Sequence, residues 1–89
     1  MTHHHLKTWP EPFQAVWDGL KPFEIRKNDR GFRVGDTLTL QEWYPESEQW
    51  GARIISASIK YILDGKLGLN DGYVALALQE IKREHCEAA

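Results

Sequence analysis

Apolar positions along this chain repeat at two different periods, and each change of period marks a new element. His4 to Thr8 alternates, which predicts a short first strand with His4 and Leu6 on one face. Thr8 and Glu11 then stand at capping-box spacing, and Pro10 and Pro12 fit only where main-chain N–H groups lack intrahelical partners, so a helix begins here. Phe13, Val16, Trp17 and Leu20 form its apolar stripe, and Gly19 supplies a C-terminal stop. Period two returns at Phe23 to Arg26, with Phe23 and Ile25 expected to face inward and Glu24 and Arg26 to lie on the opposite face.

Asn28 to Gly31 and Gly35–Asp36 are turns by composition, and they enclose a basic loop before the alternating strand Thr37 to Leu40. Tyr44 to Gly51 is a polar hairpin or loop with Trp43 and Trp50 at its ends, and it is expected to be the most flexible segment. Arg53 to Leu63 reads as the longest strand, placing Ile55, Ala57, Ile59, Tyr61 and Leu63 on one side and Ser56, Ser58 and Lys60 on the other. After a glycine-rich loop, Tyr73 to Ile81 is the closing strand, with Val74, Leu76 and Leu78 on its inner face. The fold class that follows is α+β: one main helix near the N-terminus and about five or six strands curled into a small mixed barrel.

Length reinforces this picture, since 89 residues close a single core. The chain is therefore read as one domain, residues 1–89, with a core over about 4–81 and a polar tail, expected to fray, over 82–89. Four Trp, three Tyr and three Phe supply enough apolar mass to fold without a disulfide or a metal, and Cys86, alone in the tail, has no internal partner. Neither an apolar run of about 18 residues nor a leader pattern occurs, so the expected setting is the cytoplasm, with no membrane partner. A net charge of −2 excludes binding to nucleic acid through bulk basicity alone. The charge is uneven, however, and Lys7, Lys21, Arg26, Lys27, Arg30 and Arg33 all fall in the first half, so a phosphate-binding surface would be built there.

The stretch Gly19-Leu20-Lys21-Pro22-Phe23-Glu24-Ile25-Arg26 resembles the signature of the activating signal cointegrator homology (ASCH) family, a glycine followed by lysine, glutamate and arginine at fixed spacing. The resemblance continues through Lys27-Asn28-Asp29-Arg30, Phe32 and Val34-Gly35-Asp36, and takes in His4, Leu6, Lys7, Glu42 and Gly72-Tyr73-Val74, roughly residues 4 to 79, in the manner of short stand-alone ASCH-like proteins. It implies a PUA-like β-barrel, an RNA-binding role and a cleft lined by the signature residues, with no cofactor. One ASCH-like branch of similar size hydrolyses an acyl group from a modified cytidine with a lysine, a threonine and a glutamate. Its threonine stands where this chain has Glu24, and a carboxylate cannot serve as a hydroxyl nucleophile.

Two functions follow as expectations. The first is recognition of RNA or a nucleotide-like ligand, with Lys21, Arg26, Lys27, Arg30 and Arg33 toward phosphate, Glu24 reading a base or ribose edge, and His4 reaching the same cleft. Glu24 and Arg26, about 7 Å apart along a strand, are near enough to pair directly or across a ligand. The second is an amidohydrolase for an acylated nucleoside, with Lys21 as base and Glu24 positioning water. Trp17 belongs to the helix stripe and hence the core, while Trp43 and Trp50 either stack on a base or cover the barrel mouth. His3 and His5 share a strand face without a third ligand, so no metal site is assigned.

Overall fold

The computed structural model describes residues 1–85, and Cys86 with the end of the tail lies outside them. Strands β1 (His3–Thr8), β2 (Phe23–Lys27), β3 (Thr37–Tyr44), β4 (Gln49–Asp64) and β5 (Tyr73–His85) form one sheet in the order β1-β3-β4-β5-β2. Helix α1 (Pro10–Trp17) and one 3-10 turn (Gly65–Leu67) complete the chain. The molecule is thus mostly strand, a curled half-barrel with one short helix. β1 pairs with β3 in parallel, and every other pairing is antiparallel. Phe13 and Val16 of α1 seal the concave side over Leu6, Leu38, Leu40, Ile55, Ile59 and Leu76, all nearly or fully buried.

The long arms of β4 and β5 curl through bulges. Register shifts occur between Ser56 and Ser58 and between Ile59 and Tyr61, and the extra residues re-aim the strand. The uniform alternation expected for β4 therefore fails after Ile59: Tyr61 is 60% exposed, and Ile62 packs on the core in its place. The expected fraying from residue 82 is likewise corrected. Lys82 to His85 continue β5, paired with Arg53 to Ser56, and Arg83 Nε donates to the Trp17 carbonyl.

Two further phases differ from the expectation. Leu20 is exposed, because Gly19 adopts φ 79° and the chain turns off the helix axis, its next amide bonding back to Ala15 O. Thr8 does not cap α1, whose first turn opens at Trp9 with no side-chain cap. Its hydroxyl is buried and engaged by Arg26 instead. The segment 44–51 is a tight hairpin, with Trp43 paired to Trp50 across it and their rings edge to face at 4.9 Å.

Candidate functional site

β2 and β1 are the two outer strands of the sheet, and the curl brings their free edges toward each other. β2 reverses the face expected of it: Glu24 is buried and Arg26 half-buried on the inner side, whereas Phe23 and Ile25 are exposed. The reason lies in the open barrel. Its inner side at this edge is a polar seam with two cations to neutralise a carboxylate, and burial of a charge is tolerable when it is paired and hydrogen-bonded on both oxygens.

Glu24 is the hub. Its Oε1 accepts from Lys21 Nζ at 2.8 Å, and its Oε2 accepts from Arg26 Nε at 2.9 Å. Arg26 then crosses the seam, Nη2 donating to the Lys7 carbonyl at 2.9 Å and to Thr8 Oγ1 at 3.0 Å. A guanidinium has five N–H donors, so among the described residues the two on Nη1 stay uncommitted, as do two of the three on Lys21 Nζ. Pro22 O accepts from Leu78 N, toward β5, so by strand alternation the main-chain N–H and C=O of Ile25 turn to the seam.

Above this trio opens a hollow of about 370 Å³. Lys21, Glu24, Ile25 and Arg26 form one wall, and Lys7, Thr8, Trp9 and Pro12 form the other. Trp9 is 62% exposed and presents its indole at the rim. The sequence reading missed it, although an aromatic residue between a strand end and Pro10 cannot join the helix stripe, and that position was a usable signal. The two prolines in the first turn of α1 remove main-chain donors there, so an anion in the hollow would be held by side chains.

A second, smaller hollow of about 160 Å³ adjoins, lined by Leu6, Arg26, Lys27, Asp29, Arg30 and Phe32. Lys27 and Arg30 therefore sit beside the first group and share Arg26 with it. Arg33 and His4 line neither hollow. The Arg33 amide donates to Asp36 Oδ2. His4 is buried against Phe32 with centroids 4.7 Å apart, and its Nε2–H donates to Asp36 Oδ2 at 2.9 Å, which pins the 28–36 loop to β1. That hydrogen bond, with the amides of Thr2 and Arg33, holds the Asp36 carboxyl below its ordinary value of 3.8 against the opposing effect of burial.

The remaining candidates are structural. Lys7 Nζ lies 4.0 Å from the centre of the Trp43 ring, on the outer face, and the Trp50 ring lies tilted 5.4 Å from that of His5. His3 bonds the hydroxyls of Thr37 and Thr39, and His5 bonds Gln41. Trp17 stacks on Phe13 under the Arg53 guanidinium. Arg53 is bidentate to buried Glu42, and that carboxylate raises its pKa.

A family model matches residues 3–78, spanning both outer strands and the whole seam. The chain belongs to the DUF3850 family, described as a domain of unknown function. This DUF3850 chain is also similar to an uncharacterized 12.9 kDa protein in the GpA 3' region of Escherichia phage P2, 45% identical over 40 residues. That alignment spans 45% of the DUF3850 chain and 37% of the phage protein. Among the described residues, no helix is long and apolar enough to cross a membrane.

Proposed function

We propose that this chain is an ASCH-type, PUA-like module that binds RNA or a nucleotide-like ligand in the seam between β1 and β2. The observation that carries the reading is the convergence of Lys21, Glu24 and Arg26 on one open hollow of about 370 Å³. Two cations against one carboxylate leave the wall net positive, with donors on Lys21 Nζ and Arg26 Nη1 for phosphate. Glu24 Oε1, which accepts from Lys21 alone, keeps a lone-pair direction for a base or ribose donor. Trp9 at the rim offers a face on which an unpaired base stacks, which favours single strands over duplex.

The test is a titration with short single-stranded oligonucleotides at several salt concentrations. Binding that weakens with salt and falls about tenfold or more in Lys21→Ala supports the reading. Saturable binding that ignores this substitution, or none at low salt, ends it.

A second reading is favoured by one contact. Thr8 lines the hollow that holds Lys21 and Glu24, its hydroxyl accepting from Arg26, so a hydroxyl, an amine and a carboxylate meet at one cleft although Glu24 stands where the acyl-hydrolysing branch has its threonine. In this amidohydrolase reading, Lys21 serves as base and Glu24 orients water at an acylated nucleoside. Release of free cytidine from acylated cytidine, abolished in Lys21→Ala, would establish it, and no product at high protein concentration would eliminate it.

A further inference from the structure

The seam is divided. Arg26 lines both the larger hollow, with Lys21 and Trp9, and the smaller one, with Lys27 and Arg30. Its three bonds to Lys7, Thr8 and Glu24 fix the guanidinium as a strut from β2 to β1 between the two compartments. Each compartment has a cation of its own in addition to the shared one. In the smaller compartment Lys27 and Arg30 are exposed, and with Arg26 they outweigh Asp29.

On the basis of the binding reading above, we infer that the seam is a two-phosphate site: its smallest full ligand is a single-stranded dinucleotide unit, with Arg26 straddled by its consecutive phosphates. One phosphate meets Lys21 and Arg26 Nη1, and its base stacks on Trp9. The next meets Lys27 and Arg30. A single mononucleotide satisfies only half of this arrangement, because 160 Å³ beside a strut does not hold a base as well as its phosphate. Ligand length, not base identity, is the primary specificity. The geometry favours a flexible strand, since a duplex cannot thread a seam between two sheet edges set close enough for one arginine side chain to bridge.

The experiment measures binding of the full chain to uridine 5'-monophosphate, a 5'-phosphorylated diuridine and a hexauridine, each over a range of salt. The dinucleotide is expected to bind about tenfold tighter than the mononucleotide, with a steeper dependence on salt because a second phosphate is engaged. Lys27→Ala combined with Arg30→Ala removes two exposed side chains, so folding is not at stake. It should return the dinucleotide to the affinity and slope of the mononucleotide. Lys21→Ala weakens both. Equal affinity for the two ligands, or a dinucleotide indifferent to the double substitution while Lys21→Ala still weakens it, overturns the two-phosphate inference and leaves the binding reading standing. Failure of all three ligands to bind overturns both.

Discussion

At the residue scale, the molecule separates groups that hold it together from groups that are held ready. Trp9 is of the second kind. It is 62% exposed and lies outside the buried cluster, so Trp9→Ala should change the unfolding free energy by no more than about 0.5 kcal/mol. The same substitution should weaken oligonucleotide binding by about 1 to 3 kcal/mol, the usual loss for one stacked base. Denaturant titration and binding on the same preparation check both halves. Asp36 is of the first kind, and its contribution carries a pH signature. Its folded pKa lies below the ordinary 3.8, so the stability it lends is complete above that value and disappears as pH falls through the depressed one. Unfolding midpoints measured from pH 6 down to about 2.5 should therefore drop below pH about 4, and more shallowly in Asp36→Asn, which keeps the shape but cannot titrate. An identical slope in the two proteins would remove Asp36 from the account.

At the element scale, close approach between neighbouring strands sets the tolerances. Gly51 opens the inner run of β4 directly over Glu42 of β3, and a methyl group placed on it would stand 2.9 Å from Glu42 Cβ and 3.0 Å from its Oε1. Glu42 is buried and holds Arg53 through both oxygens, so it cannot step aside without breaking that pair. Gly51→Ala should thus cost about 1 to 3 kcal/mol, visible as a lower urea midpoint at unchanged m-value. The elements also show what the sequence could and could not reveal. Period two located all five strands, and the 3.6 period located α1, because in each a buried face imposes its spacing on the residues. What escaped was the phase wherever a local device resets it: the bulge that exchanges Tyr61 for Ile62, and the left-handed Gly19 that releases Leu20. The inversion of β2 has a different cause. Alternation shows that Phe23 and Ile25 oppose Glu24 and Arg26, but which pair faces inward depends on partners that the strand does not contain, Lys21 before it and Thr8 across the seam. The same gap explains the site. Lys21, Glu24 and Arg26 line one hollow and Lys27 and Arg30 the one beside it, all close in sequence, while His4 and Arg33 were drawn to Asp36, and Trp9 enters only through the curl of the sheet.

At the scale of the whole molecule, the question is how a five-stranded sheet keeps two free edges in register without a sixth strand to join them. Across the seam, main-chain pairing is replaced by one side chain, since Arg26 spans from β2 to the Lys7 carbonyl and the Thr8 hydroxyl. Replacing it by Met retains much of the apolar stem and removes both of its hydrogen bonds across the gap. It also leaves Glu24 with Lys21 alone, so the global cost should be about 1 to 3 kcal/mol. The spatial pattern of the loss distinguishes a strut from an ordinary ion pair. Leu40 and Ile59 lie in the central strands β3 and β4, so their amides should exchange only through global opening and accelerate by that same free energy. The amides of Leu6 and Glu24, which pair inward with β3 and β5, should accelerate more, through local fraying of the two edge strands that leaves the centre of the sheet intact. Native-state hydrogen exchange at single-residue resolution reads both rates in one sample. Uniform acceleration across the sheet would mean that the edges are held by the core beneath them, and that Arg26 divides the seam without bracing it.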